Sequence, residues 1–154
     1  MRPTPLLAGL SITVVCTLAG FFLYPAMVDF IYPNLGAGSV EQYFYSQLVT
    51  ALSFTLLGSV IWLYGWAYLK RNCGATVKEA FLGPSLVAFA AVIIGLLYYK
   101  HGLESVNVGN DIAGYPILMM VSAIKVYYIP VAASLLVLLL FACKWIKSRR
   151  VKRQ

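Results

Sequence analysis

The sequence predicts an all-α integral membrane protein: four transmembrane helices arranged as two hairpins, with both termini cytoplasmic. Three observations predict it. The chain is 61% hydrophobic and only 11% charged, whereas a soluble domain carries about a quarter of its residues charged. The apolar residues gather in four runs, near 6–24, 43–69, 79–100 and 116–145. Each is near or above the ~20 residues that a helix needs to cross ~30 Å of hydrocarbon. Unbroken runs of this kind exclude a strand-built pore, whose segments would be short and alternating. The third observation is that positive charge collects at alternate ends of the runs.

The net charge is +7. Arg2 precedes the first run, Lys70, Arg71 and Lys78 lie between the second and third, and Lys144, Lys147, Arg149, Arg150, Lys152 and Arg153 fill the basic tail, 144–154. The other two connections carry Asp29, Glu41, Glu104 and Asp111 against Lys100 and Lys125. Alternating helices put every strongly basic segment on one side, which the positive-inside rule makes cytoplasmic. The charge is therefore a topology signal and not a nucleic-acid surface. The tail is expected to attract anionic lipid head groups, at about 1 kcal/mol per basic residue near the surface.

The first run is apolar or small throughout, with Gly9, Thr13, Cys16 and Gly20 spaced to share one face. It is expected to be a retained helix and not a lipoprotein signal, because Val15 precedes Cys16 where a small residue would stand. It is expected to break near Pro25, with a short interfacial turn or helix beyond. The second run repeats the small-residue spacing at Ala51, Thr55 and Gly58, and the third at Ser85, Ala88 and Gly95. Such stripes let helix backbones approach closely in lipid, where apolar burial no longer drives association. The third helix should begin at Ala75 or Thr76, with a kink or a later start at Pro84. The fourth should begin at Pro116, in its first turn, and kink at Pro130. Helices one and three should be short, two and four long.

Little in the sequence carries chemistry. Cys16, Cys73 and Cys143 form no C-x-x-C pair and fall toward the cytoplasmic half, which excludes a thiol-oxidising membrane enzyme and leaves them as small packing residues. His101 is the sole histidine. With Glu104 at i+3 it makes half a metal site at most, and it cannot supply the two axial ligands of a membrane haem. No P-loop, G-x-S-x-G or H-E-x-x-H occurs. No carboxylate lies in the middle of a run, where a proton-coupled transporter needs one. Four-span arrangement is shared by many unrelated families. The claudin-type tryptophan and paired external cysteines, the first-helix carboxylate of small exporters and the arginine set of glutathione-utilising enzymes are all missing here. No catalytic, cofactor or metal residues are assigned.

Two features point to function. Gln47 and Thr50, with Ser46 and Ser53, make a polar row on the second helix, which would either line a narrow path or hydrogen-bond a neighbouring helix. Tyrosines crowd the outer ends of the helices, and only Tyr64 and Tyr68 belong to the inner half, where Trp62, Trp66 and Trp145 also fall. About 20 residues counted outward from Lys70 reach Thr50, and from Lys144 they reach Ile124. Both helices then project apolar ends beyond the hydrocarbon. Asp29, Tyr43, Phe44, Tyr45, Tyr115, Met119, Met120, Lys125, Tyr127 and Tyr128 are the expected contacts on that rim, and Lys125 an anchor at its lower edge that snorkels toward water. The expected role is a non-catalytic structural or accessory subunit of a larger membrane complex, whose partners are other membrane subunits. The alternative is a small oligomeric transporter or channel with its path along Gln47 and Thr50.

Overall fold

A computed structural model describes residues 3–31, 40–72, 74–110 and 125–151, with side chains described over 5–31, 43–72, 74–102 and 125–144. The described residues are all-helical, with no strand: α1 (Pro3–Ile31), α2 (Val40–Arg71), α3 (Val77–Asn110) and α4 (Tyr128–Val151). Three of them, α1, α2 and α3, are long and apolar enough to cross a membrane, and the apolar part of α4, Tyr128–Lys144, is shorter.

α1, α2 and α3 run longer than their apolar runs. At 1.5 Å per residue, the 29, 32 and 34 residues of α1, α2 and α3 span ~44, ~48 and ~51 Å. The expected alternation of short and long helices is absent: polar and aromatic residues continue α1, α2 and α3 past their apolar stretches, and α4, expected to be long, has 24 residues. The start of α3 is set by a reciprocal cap. The Thr76 hydroxyl accepts from the Glu79 backbone N–H at 3.3 Å, and the Glu79 carboxylate accepts from the Thr76 N–H at 3.1 Å. This is a capping box, which satisfies two of the donors that every helix start leaves open.

Two prolines behave differently from the expectation. α1 does not break near Pro25 but continues to Ile31, because another helix supplies the hydrogen bond that the proline removes. In the expected fourth helix, 116–145, residues 125–127 form a turn and α4 starts at Tyr128. Pro130 thereby falls in the first turn of α4, where a missing N–H has no intrahelical partner to lose. The Ile129 N–H closes that turn on the Val126 carbonyl at 3.0 Å. The expected start at Pro116 lies outside the described residues.

α2 is the central helix. Of the apolar window of α2, 56% is buried, against 11% for α1 and 22% for α3, and α2 packs against all three other helices. The α1–α2 pairing is the most extensive. α3 joins α4 and touches α1 more thinly. Buried Phe54, Leu57, Val60 and Ile61 of α2 meet Tyr24, Met27 and Ile31 of α1, Phe81 and Ala88 of α3, and Ile129, Ala133 and Val137 of α4 in one core cluster.

Close packing at glycines sets the spacing. A Cβ on Gly58 would lie 2.9 Å from the Thr13 Cα and 3.1 Å from the Cys16 Cβ, and one on Gly20 would lie 2.8 Å from the Phe54 side chain. Gly9 is covered by the Trp62 ring, Gly65 by Phe81 and Gly95 by Ile129. The α1–α2 seam thus brings together Gly9, Thr13 and Gly20 with Thr55 and Gly58, and Ala51 is buried on α2. Gly95 serves the α3–α4 contact instead.

Candidate functional site

The polar row of α2 faces the bundle. The Gln47 amide Nε2 donates to the Phe21 carbonyl of α1 at 2.9 Å. In an uninterrupted helix that oxygen would accept from the N–H of residue 25, which is a proline. The side chain of α2 therefore fills the vacancy that Pro25 creates in α1, as membrane helices with proline require. Thr50 is fully buried, and its hydroxyl donates to its own Ser46 carbonyl at 2.8 Å. Ser53 does the same to Val49 at 2.8 Å. One helical turn further in, Thr17 and Thr55 meet across the seam at 2.8 Å.

The end of the bundle at Tyr24, Phe30 and Tyr43 is aromatic. Tyr24 of α1 and Tyr43 of α2 pack edge to face, with ring centroids 5.2 Å apart. The Lys100 ammonium sits 4.6 Å from the Phe30 ring centroid, a distance that makes a cation–π contact. Tyr98 (80% exposed), Tyr45 (69%) and Phe44 (52%) project from the bundle, and Asp29 is exposed beside them in sequence register with α1's last turn. The Tyr127 and Tyr128 rings lie 4.6 Å apart between centroids, tilted at 47°. A hydrogen bond with Tyr128 holds the Tyr127 phenol, in the turn outside α4, above its usual range.

Lys125 stands exposed just before α4. Its backbone N–H donates to the Tyr99 hydroxyl at 3.1 Å, and its ammonium lies 5.9 Å from the Tyr128 ring. The side chains of Glu41, Glu104 and Asp111 lie outside the described residues. So do Tyr115, Met119 and Met120 of the expected rim.

The inner end carries contacts that the sequence did not announce. The Lys144 ammonium of α4 donates to the Tyr64 hydroxyl of α2 at 2.9 Å, and the Tyr64 and Phe141 rings pack edge to face at 5.6 Å. Lys70 lies 5.3 Å from the Trp66 ring centroid. No periodic signal links residues 64 and 144, so only the fold reveals the pairing.

Apolar grooves cut the bundle among the described residues. One, of about 370 Å³, lies between α1, α2 and α3 and is lined by Cys16, Phe54, Leu57 and Phe89 among others. The second, of about 250 Å³, lies between α2 and α4 at the inner end. Among the described residues no group of three His, Cys, Asp or Glu side chains comes together as a metal site. The Trp62 indole N–H is the one buried side-chain polar atom among the described residues without a hydrogen-bond partner. Comparison with protein-family models, with curated proteins and with solved structures found no match to this chain.

Proposed function

We propose that this chain is a non-catalytic subunit of a larger membrane protein complex, crossing the bilayer four times with both termini on the cytoplasmic side. The observation that carries the reading is the state of the polar row on α2. Gln47, Thr50, Ser53 and Thr55 all have their side chains hydrogen-bonded within the chain, to Phe21, Ser46, Val49 and Ala51 carbonyls at 2.8–2.9 Å. A transport path needs polar groups that exchange partners with a passing solute. Here Gln47 ties α2 to α1, the commoner use of such residues in lipid, and the three hydroxyls are satisfied on the backbone of α2 itself.

Docking is assigned to the outer rim. Phe44 and Tyr45 lie six and five positions beyond Thr50, the residue ~20 positions from Lys70 that marks the edge of the hydrocarbon. They and Tyr98 are exposed at a level where lipid tails no longer cover them, and exposed apolar patches in water mark contacts. The fourth crossing is α4, whose 17 apolar residues, Tyr128–Lys144, sit at the short end of the spanning range. The cations of the 70–78 connection and of the tail then face the same compartment.

The test is purification of the full chain from its native membrane in mild detergent. Co-purification with other polypeptides at fixed stoichiometry, lost when Tyr45 and Tyr98 are both changed to Ser, is the expected result. Isolation alone, with solute flux after reconstitution in liposomes, overturns the reading in favour of transport.

A further inference from the structure

The groove between α2 and α4 has an apolar body and a cationic mouth. Val60, Tyr64 and Val137 form its buried floor, and Leu63, Trp66 and Phe141 are among its walls. Two of these aromatic residues hold a lysine each. Lys70, four positions past Trp66, lies over its ring, and Lys144, three positions past Phe141, is bonded to Tyr64. Because three and four residues make one helical turn, each cation stands directly beyond the groove wall of its own helix. Tyr64 accepts a hydrogen bond from the lysine ammonium and so keeps its own O–H to donate.

The charge at this end is not balanced within the chain. Of the five acidic residues, Glu79 alone belongs to the basic side, and it is engaged in capping α3 through Thr76. Lys70, Arg71, Lys78 and Lys144 stand against it, with the rest of the tail. The depth of the groove is also informative. From Lys70 to Val60 is ten residues, or ~15 Å along the helix, half of the ~30 Å hydrocarbon and so the thickness of one leaflet.

We infer that this groove binds a phospholipid with an anionic head group, one acyl chain lying along Val60, Leu63 and Phe141 and the phosphate held by Lys144 and Lys70. The inference needs only that the chain spans a bilayer, and it stands apart from the proposal of partner subunits.

The test uses the full chain in mild detergent, with phosphatidylglycerol and phosphatidylcholine of identical acyl chains, and native mass spectrometry to count bound lipid. Phosphatidylglycerol is expected to bind preferentially. K70Q and K144Q should each lower its apparent affinity about fivefold, the equivalent of one basic residue near an anionic head group, and leave phosphatidylcholine unchanged. L138W, which fills the groove from its exposed wall, should weaken retention of both lipids. As an independent readout, phosphatidylglycerol with brominated acyl chains should quench tryptophan fluorescence, and W66F should remove most of that quenching. Equal retention of the two lipids overturns the inference. So does quenching that survives W66F, or loss of phosphatidylglycerol in the lysine variants with no effect of L138W, which would be diffuse attraction to the tail. A co-purifying polypeptide that excludes lipid from Trp66 overturns it as well.

Discussion

Gln47 of α2 donates to the carbonyl of Phe21 in α1 at 2.9 Å, the oxygen that Pro25 leaves without a donor one turn later. The proline and the glutamine are therefore one device distributed over two helices. Between packed helices an unpaired carbonyl is costly, so the amide both repairs α1 and fixes its register on α2. Gln47→Leu should destabilise the bundle by about 1–2 kcal/mol, the upper range for interhelical hydrogen bonds in membranes. Pro25→Ala restores the backbone donor, and in that background Gln47→Leu should cost little or be stabilising, since the amide has then lost its acceptor. Equilibrium unfolding of the four species in mixed micelles checks this. Equal effects of Gln47→Leu in both backgrounds would show that the two residues act independently.

The Thr17–Thr55 contact is weaker than its distance implies. Thr17 is placed to donate to Thr13 at 2.8 Å, Thr55 to donate to Ala51 at 2.9 Å, and the two hydroxyls approach each other at 2.8 Å. Three bonds would need three protons, and two hydroxyls carry two. At any moment one bond is unmade. Thr17→Val and Thr55→Val should each cost less than about 0.6 kcal/mol, the average for such pairs, with a coupling close to zero in the double-mutant cycle. The same micelle unfolding measures it, and a coupling above ~1.5 kcal/mol would require a donor beyond these two hydroxyls.

Much of the helical layout is legible from hydropathy and residue size alone. Three apolar runs appear as long helices, and the small residues at Gly9, Gly20 and Gly58 lie where α1 and α2 approach most closely. The errors share one physical cause. Hydropathy reports the solvent of a segment and not its backbone, so the apolar composition runs unbroken through the 125–127 turn and conceals where α4 begins. Pro25 reads as a break because its repair comes from a residue 22 positions later, in another helix. Gly65 against Phe81, and Tyr64 with Lys144, escape notice because neither pair belongs to a stripe. Such contacts depend on helix rotation, which periodicity fixes poorly when nearly every face is apolar.

Glycine at 58 tests the seam directly. A Cβ there meets the Thr13 backbone, which cannot rotate away as a side chain can, whereas a Cβ on Gly83 meets nothing within 4 Å. Gly58→Ala should therefore separate α1 from α2 and cost about 1–3 kcal/mol, the range for overpacking. Gly83→Ala should cost less than Gly58→Ala, its gain in helix propensity being offset by the restriction that Pro84 places on the residue before it. Unfolding midpoints of the two variants against the parent protein decide the matter, and similar losses in both would place the sensitivity in the helices themselves and not in their contact.

Trp62 presents the opposite case, a polar group whose removal should help. Its ring covers Gly9 and fills the inner end of the α1–α2 seam, but its indole N–H is buried without a partner. A buried donor left unmade costs about 1–3 kcal/mol, while the aromatic area it brings is favourable. Trp62→Phe keeps most of the ring and removes the donor, so the loss of contact with Gly9 and the gain from the missing N–H should nearly cancel. Trp62→Ala removes both and opens a cavity, at about 3–5 kcal/mol by the range for large aromatic truncations. Micelle unfolding of both variants separates the two contributions. A Trp62→Phe loss as large as that of Trp62→Ala would mean that the N–H has a partner supplied from outside this chain, a lipid carbonyl or a neighbouring subunit, and infrared hydrogen-bond shifts of the indole N–H would then locate it.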